Sequence, residues 1–307
     1  MQILAGVGGG IPFAGYFAGG FTAATDAISK LSFDSETVST LSAVLTTVTS
    51  TNTGFSNSNV AGYSGGGLDG SSANLSRINK LTFLTEAIST LGATLTSARF
   101  GTGGMANSGT AGYFGGGYDT GFLSGIDKIA FPGDTKTTLA ATLTNARRYL
   151  AGFANSGTAG YFAGGDDVDN PLSGIDKITF STDAKSTLAA TLTNASTQKS
   201  AASNSGTAGY IAGGYNNLST YYSNIDKITF STDAKSTLAA TLTTAVRYQF
   251  SASYSGVAGY FAGGYTGAIY KSDIDKINFA TDTKSTLSAT ISPNEAFGAS
   301  MSYSGVL

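Results

Sequence analysis

The chain of 307 residues has no cysteine, no histidine and no tryptophan. Without cysteine there can be no disulfide, no thiolate nucleophile and no cysteine-based metal site. Without histidine the usual general base and the commonest neutral metal ligand are missing, and a Ser-His-Asp triad cannot be assembled. Charge is scarce as well: 17 Lys and Arg stand against 19 Asp and Glu, a net charge of −2. Nucleic-acid binding needs clustered cations to neutralise phosphate. Here the lysines recur singly along the chain, so nucleic acid is not an expected partner. Long apolar runs are also lacking, and the first basic residue, Lys30, follows the apolar N-terminal stretch instead of preceding it. Neither membrane insertion nor a signal peptide is expected.

What the chain has in abundance is repetition. Apolar residues make up 41% of it, enough for a core, and Gly contributes 42 residues. The phrase Ala-Gly-Tyr occurs six times, at Tyr16, Tyr63, Tyr113, Tyr161, Tyr210 and Tyr260, spaced 47 to 50 residues apart. A Gly pair follows each Tyr after three residues, as at Gly164-Gly165. Next comes Ile-x-Lys-(Ile/Leu)-x-Phe, ending at Phe33, Phe83, Phe131, Phe180, Phe230 and Phe279. A third phrase, such as Ser186 to Leu192 or Ser236 to Leu242, and a fourth, such as Arg247 to Ser255, complete the unit. Each phrase is short, rich in Thr, aromatic, β-branched or alternating small residues, and bounded by turn formers, which are strand signals. The third phrase also contains good helix formers, but its Thr content and flanking turn residues favour a strand.

Four short strands per unit of about 48 residues is the pattern of a propeller blade. One four-stranded sheet cannot bury both faces alone, whereas six packed around an axis can. The expected fold is all-β: a six-bladed β-propeller with four antiparallel strands per blade, one domain spanning residues 1–307. The segment Phe297 to Ser304 reads as one more inner strand and stops where another Ala-Gly-Tyr would begin. It is expected to pair with Ala14 to Gly20 and close the ring, with Gly6 to Gly10 as a competitor for that place.

The order of phrases resembles the kelch repeat. In that family an inner strand, often entered by Arg, leads to a strand ending in a Gly pair, then a strand ending in an aromatic residue, then an outer strand. Arg247, the stretch Tyr260 to Gly264 and Phe279 occupy those places, while Leu188 and Leu238 stand where kelch repeats carry Trp. The low-charge, cysteine-free, Ser/Thr/Gly/Ala-rich repeats are also similar to phage virion proteins, tail fibres and tail-associated propellers among them. That likeness implies an extracellular location in a virion tail or fibre, with other virion proteins and host surface polysaccharide as partners. Kelch-like copper oxidases need His and Cys, and sialidase propellers need an arginine cluster and Trp-bearing Asp boxes. No enzyme activity, catalytic residue or cofactor is therefore expected.

Two sets of connections differ between repeats: the loops after the Gly pairs and the links from one blade to the next. In a propeller both lie on the same face. The candidate binding residues are Tyr118, Phe122, Tyr215, Tyr221, Tyr222, Tyr265 and Tyr270 in the loops, with Arg147, Arg148, Tyr149, Arg247 and Tyr248 in the links. Exposed Tyr offers rigid contact area with a hydroxyl, suited to sugars or proteins. The one acidic cluster, Asp166, Asp167 and Asp169, is a weak calcium candidate that lacks a full loop pattern. The repeated lysines Lys30, Lys80, Lys128, Lys177, Lys227 and Lys276 are read as blade-packing residues paired with a neighbouring acid. Asp134, Asp183, Asp233 and Asp282 are read as turn residues. Three functional readings follow: a virion adhesin, a capsid-decorating or assembly protein, and a cellular kelch-like interaction module.

Overall fold

In a computed structural model of the chain, which describes residues 12–20, 25–168, 170–291 and 296–303, every Ala-Gly-Tyr phrase begins a β-strand. Blade 1 holds β1 (Ala14–Gly20), β2 (Thr25–Ser32) and β3 (Thr37–Thr40). Blade 2 holds β4 (Thr53–Asn57), β5 (Ala61–Gly65), β6 (Ile78–Thr82) and β7 (Ala87–Thr90). Blade 3 holds β8 (Gly103–Asn107), β9 (Ala111–Gly115), β10 (Ile126–Ala130) and β11 (Thr135–Thr138). Blade 4 holds β12 (Ala151–Asn155), β13 (Ala159–Ala163), β14 (Ile175–Thr179) and β15 (Ala184–Thr187). Blade 5 holds β16 (Ser200–Asn204), β17 (Ala208–Ala212), β18 (Asn224–Thr229) and β19 (Ala234–Thr241). Blade 6 holds β20 (Phe250–Tyr254), β21 (Ala258–Tyr265), β22 (Tyr270–Asn278) and β23 (Lys284–Thr286). The last strand, β24 (Ala299–Tyr303), pairs antiparallel with β1, Ala14 opposite Tyr303 and Ala18 opposite Ala299. It gives the first blade the order β24-β1-β2-β3. The chain is a six-bladed β-propeller closed by its C-terminal segment, as expected. The competing segment Gly6 to Gly10 lies outside the described residues.

The outer strands are shorter than the sequence suggested. Ser186 to Leu192 contributes only its first two residues to β15, which starts two residues earlier at Ala184. The cause is the partner: β14 offers five residues, and only Asp176 to Thr179 find partners in β15. Leu192 instead turns into the core of its blade. Only β19 continues through most of the phrase, to Thr241.

Each seam between blades repeats one construction. Across blade 4 the register sets Phe153 opposite Tyr161, Tyr161 opposite Lys177 and Lys177 opposite Ser186. Tyr161 and Lys177 therefore leave the sheet side by side and reach blade 5. There the Tyr161 ring stacks on Phe230 with centroids 5.5 Å apart. Its hydroxyl donates to Asp233 Oδ1 at 2.8 Å, and Lys177 Nζ donates to Oδ2 at 2.6 Å. Asp233 sits in the left-handed region, φ 56°, at the turn between strands three and four, where Asp is among the few side chains tolerated. The same Tyr–Phe stack recurs as Tyr16–Phe83, Tyr63–Phe131, Tyr113–Phe180 and Tyr210–Phe279, and across the closing seam as Tyr260–Phe33. The acids are Glu86, Asp134, Asp183 and Asp282, with Glu36 at the closing seam. The repeated lysines and turn acids are thus latches between blades.

The inner strands meet at the axis with small side chains. A Cβ on Gly152 would stand 2.0 Å from the carbonyl oxygen of Gly104, so only glycine allows blades 3 and 4 to approach this closely. Where serine lines the axis, its hydroxyl accepts a backbone N–H from the neighbouring blade, as Ser253 does from Ser203 at 2.9 Å and Ser302 from Ser253 at 2.9 Å. Two residues before each inner strand comes a residue with φ between 53° and 74°: Thr51, Gly101, Tyr149, Gln198, Tyr248 and Phe297. The N–H of each donates to the carbonyl of its counterpart in the preceding blade. The links are Gly101 to Thr51 (3.1 Å), Tyr149 to Gly101 (2.5 Å), Gln198 to Tyr149 (3.1 Å), Tyr248 to Gln198 (3.0 Å) and Phe297 to Tyr248 (3.2 Å). Thr51 donates to Phe297 and completes a hoop of six backbone hydrogen bonds around the axis.

Candidate functional site

In blades 2 to 6 the loop after the Gly pair folds back against the link that enters the same blade. Isolated bridges join Ser50 to Leu68, Phe100 to Tyr118, Arg148 to Asp166, Thr197 to Tyr215 and Arg247 to Tyr265. The Gly pair makes this possible: Gly164 and Gly165 both have positive φ, and a Cβ on Gly165 would lie 2.5 Å from the carbonyl of Arg148. The two variable sets of connections therefore share one rim of the disc, the rim that carries the hoop.

Two arginine-centred aromatic clusters stand on this rim. Arg148 lies over the rings of Tyr149, Tyr118, Phe122 and Phe100, 5.0 to 5.7 Å from their centroids. Its Nε donates to Asp166 Oδ2 at 3.2 Å. Asp166 also accepts the Thr197 hydroxyl at 2.6 Å, and burial raises its pKa above the ordinary carboxylate value against both partners. Arg247 lies over Tyr215, Tyr248, Tyr265 and Tyr221, 4.6 to 5.6 Å from their centroids. Three ring positions are common to both clusters by register: Tyr118, Phe122 and Tyr149 correspond to Tyr215, Tyr221 and Tyr248. Tyr149 and Tyr248 meet edge to face at 5.3 Å and join the clusters, and Phe297 stacks on Tyr248. Burial raises the pKa of both tyrosines, so their hydroxyls stay protonated. Tyr270 packs on Tyr265 at 4.7 Å, and Tyr222 lies under the Lys199 ammonium at 5.8 Å.

The structure gathers Tyr118, Phe122, Arg148, Tyr149, Tyr215, Tyr221, Arg247, Tyr248, Tyr265 and Tyr270 into one half-buried aromatic belt. Phe100, an aromatic residue of the blade-to-blade links already visible in the sequence, joins them at the register position of Arg148, and the structure adds Phe297, at that of Tyr149 and Tyr248. It sets Arg147 apart. That side chain is 2% exposed and donates to Asp176 at 3.0 Å, to the carbonyls of Gly164 (3.0 Å) and Gly174 (3.2 Å), and to that of Phe162 (3.2 Å). Successive residues of an extended segment point to opposite sides, so Arg147 turns into the blade while Arg148 turns out. Arg147 is a scaffold residue. In blade 5 its place is taken by Ser196, and Lys199 supplies the cation instead, reaching the carbonyl of Gly213 at 2.7 Å. Burial pulls Lys199 down to about 8, against the opposing effect of Asp226.

The acidic cluster divides. Asp166 turns to Arg148 and Thr197, whereas Asp167 accepts the backbone N–H of Asn170 at 3.0 Å within its own loop. Asp169 lies outside the described residues. Among the described residues no group of three acidic side chains converges on one point. The loop tips of blades 4, 5 and 6 carry exposed aliphatic side chains: Val168 (77% exposed), Leu218 (83%) and Ile269 (59%). Along the axis lie two small cavities, one of about 110 Å³ ringed by the six hoop residues and one of about 150 Å³ lined mainly by serine, glycine and alanine. Both are polar enough for ordered water and too small for a sugar. The chain matches no protein-family model and no curated protein.

Proposed function

We propose that this propeller is a non-enzymatic binding module of a phage particle, a tail or fibre component that presents its variable rim to a host surface glycan or to another virion protein. The observation that carries this reading is the belt of aromatic side chains confined to one rim. Tyrosine faces stack on sugar rings while their hydroxyls supply hydrogen bonds at the edge. The opposite rim spends its conserved-pattern tyrosines on the seams. The low-charge, cysteine-free, Ser/Thr/Gly/Ala-rich repeats support placement in a virion. The carboxylate nearest the belt, Asp166, is engaged by Arg148 and Thr197. That favours binding over acid–base work, which needs two carboxyl groups facing one bond.

A second reading, a capsid-decorating or assembly protein, is favoured by Val168, Leu218 and Ile269, since exposed aliphatic tips suit a protein surface. Glycan-array and host-cell adsorption measurements on the isolated chain separate the two. Binding that falls by about tenfold or more in a Tyr215→Ala, Tyr221→Ala double variant is expected, given what stacked aromatic anchors contribute. No binding, together with a large buried contact inside the particle, would establish the assembly reading. Turnover of host polysaccharide would overturn the non-enzymatic one.

A further inference from the structure

The two arginine clusters share three ring positions and differ at two: Phe100 of the first stands where the second has Thr197, and Asp166 where the second has Tyr265. In blade 4 the residue after the Gly pair is Asp166, bridged to Arg148, and its carboxylate takes the arginine Nε. In blade 6 the bridged residue is Tyr265, and no carboxylate lies within ion-pair distance of Arg247 among the described residues. Arg247 Nε is buried without an acceptor, as are those of Arg99 and Arg147; what sets Arg247 apart is that its terminal nitrogens also find no acceptor among the described residues and reach the surface. A guanidinium presents five donors in a planar fork that matches an oxyanion. Leaving such a group stacked among four rings, partly desolvated and without a counter-ion, is costly unless something completes it.

We infer that Arg247, framed by Tyr215, Tyr221, Tyr248 and Tyr265, is a subsite for the carboxylate of an acidic sugar. Blade 4 supplies the internal template: a carboxylate is what the same cage accepts when the chain provides one. The tyrosine rims suit the remainder of a pyranose ring, whose carbon-bound faces are apolar and whose edges are hydroxyls. A planar, bidentate partner distinguishes this site from a general cation patch. The inference rests on the reading of this rim as a glycan-binding surface and specifies which glycans it selects.

The test compares a polyuronate oligosaccharide with its carboxyl-reduced neutral counterpart, titrated calorimetrically against the full chain. The acidic form is expected to bind about tenfold or more tightly, the size of one charge-assisted contact. Arg247→Gln, which keeps the aliphatic stem, should abolish that preference, and Arg247→Lys should restore only part of it because a point charge replaces the fork. An unchanged melting temperature shows that each variant is folded. Equal binding of the two oligosaccharides would overturn the inference and leave the glycan reading standing. Binding of neither would remove the glycan reading. A preference that survives Arg247→Gln would overturn the assignment to this cage. If acetate displaces the acidic oligosaccharide at equal concentration, the site is an anion site only and the sugar specificity fails.

Discussion

On the uniform rim a lysine, a tyrosine and a carboxylate meet at all six seams. On the variable rim, among the described residues, an arginine stands over four aromatic rings twice, and a carboxylate joins it only at Arg148. The difference is one of completion. At a seam every partner comes from the repeat itself, so the unit is satisfied as soon as two blades touch. At Arg247 the chain supplies the cation and the rings and stops. Groups that complete one another serve the architecture, while a group left with open valences faces outward. Arg147 makes the point from inside, since it sits beside Arg148 in sequence and belongs to the scaffold through its carboxylate and three carbonyls.

The sharpest way to break this comparison is to remove the buried cation. Arg147→Met should cost about 3 kcal/mol, because Asp176 would remain buried with only the more distant Lys185, at 3.9 Å, as a counter-charge. Arg247→Met should cost under about 1 kcal/mol, since no buried charge is left behind. Denaturant unfolding of both variants checks this, and equal losses would erase the distinction between scaffold and rim. The next effect is pH-dependent. Lys199 is held at about 8 in the folded chain against 10.5 when unfolded. Folding therefore favours its neutral form, and its burial destabilises the protein below pH 8. That penalty, about 3 kcal/mol, shrinks as pH rises from 8, where the folded chain gives up the proton, to 10.5, where the unfolded chain does. The stability of the parent relative to Lys199→Met should rise across this window, and the comparison cancels the contribution of the tyrosines. A flat difference would show that the ammonium is better solvated than its surroundings imply. The smallest effect concerns one latch. Asp233→Asn keeps a side chain compatible with φ 56° but weakens two charge-assisted hydrogen bonds, and should cost about 1–2 kcal/mol. A thermal shift near zero would mean that the Tyr161–Phe230 stack alone holds that seam.

The blade count was legible because it is written six times, and the closing strand because the inner phrase at the C-terminal end had no following Ala-Gly-Tyr of its own to pair with. The latches were legible in kind, since a lysine repeated in every blade serves every blade. The division between Arg147 and Arg148 was not. Which of two adjacent side chains turns inward depends on the bridge to Asp166, a contact 18 residues away. Asp166 looked like a calcium ligand for the same reason, because its neighbours in sequence are acids while its neighbours in space are Arg148 and Thr197. Phe297 was hidden because its surrounding link departs from the other five, and only the hoop reveals that it stands in register with Tyr149 and Tyr248. The outer phrase misled by its length, as a strand pairs only as far as its partner extends.

The hoop has a further consequence. Its six amides point the same way round, so their dipoles circulate and cancel, and no donor or acceptor is left over at an end. A closed circuit of this kind counts its members. Blades 4 and 5 share the run Ser-Thr-Asp-Ala-Lys-Ser-Thr-Leu-Ala-Ala-Thr-Leu-Thr, the sort of near-duplicate sequence in which a unit is readily gained or lost. Adding or removing one would change the angle between every pair of links at once. The hoop thereby acts as a gauge on copy number, holding a repetitive chain to six.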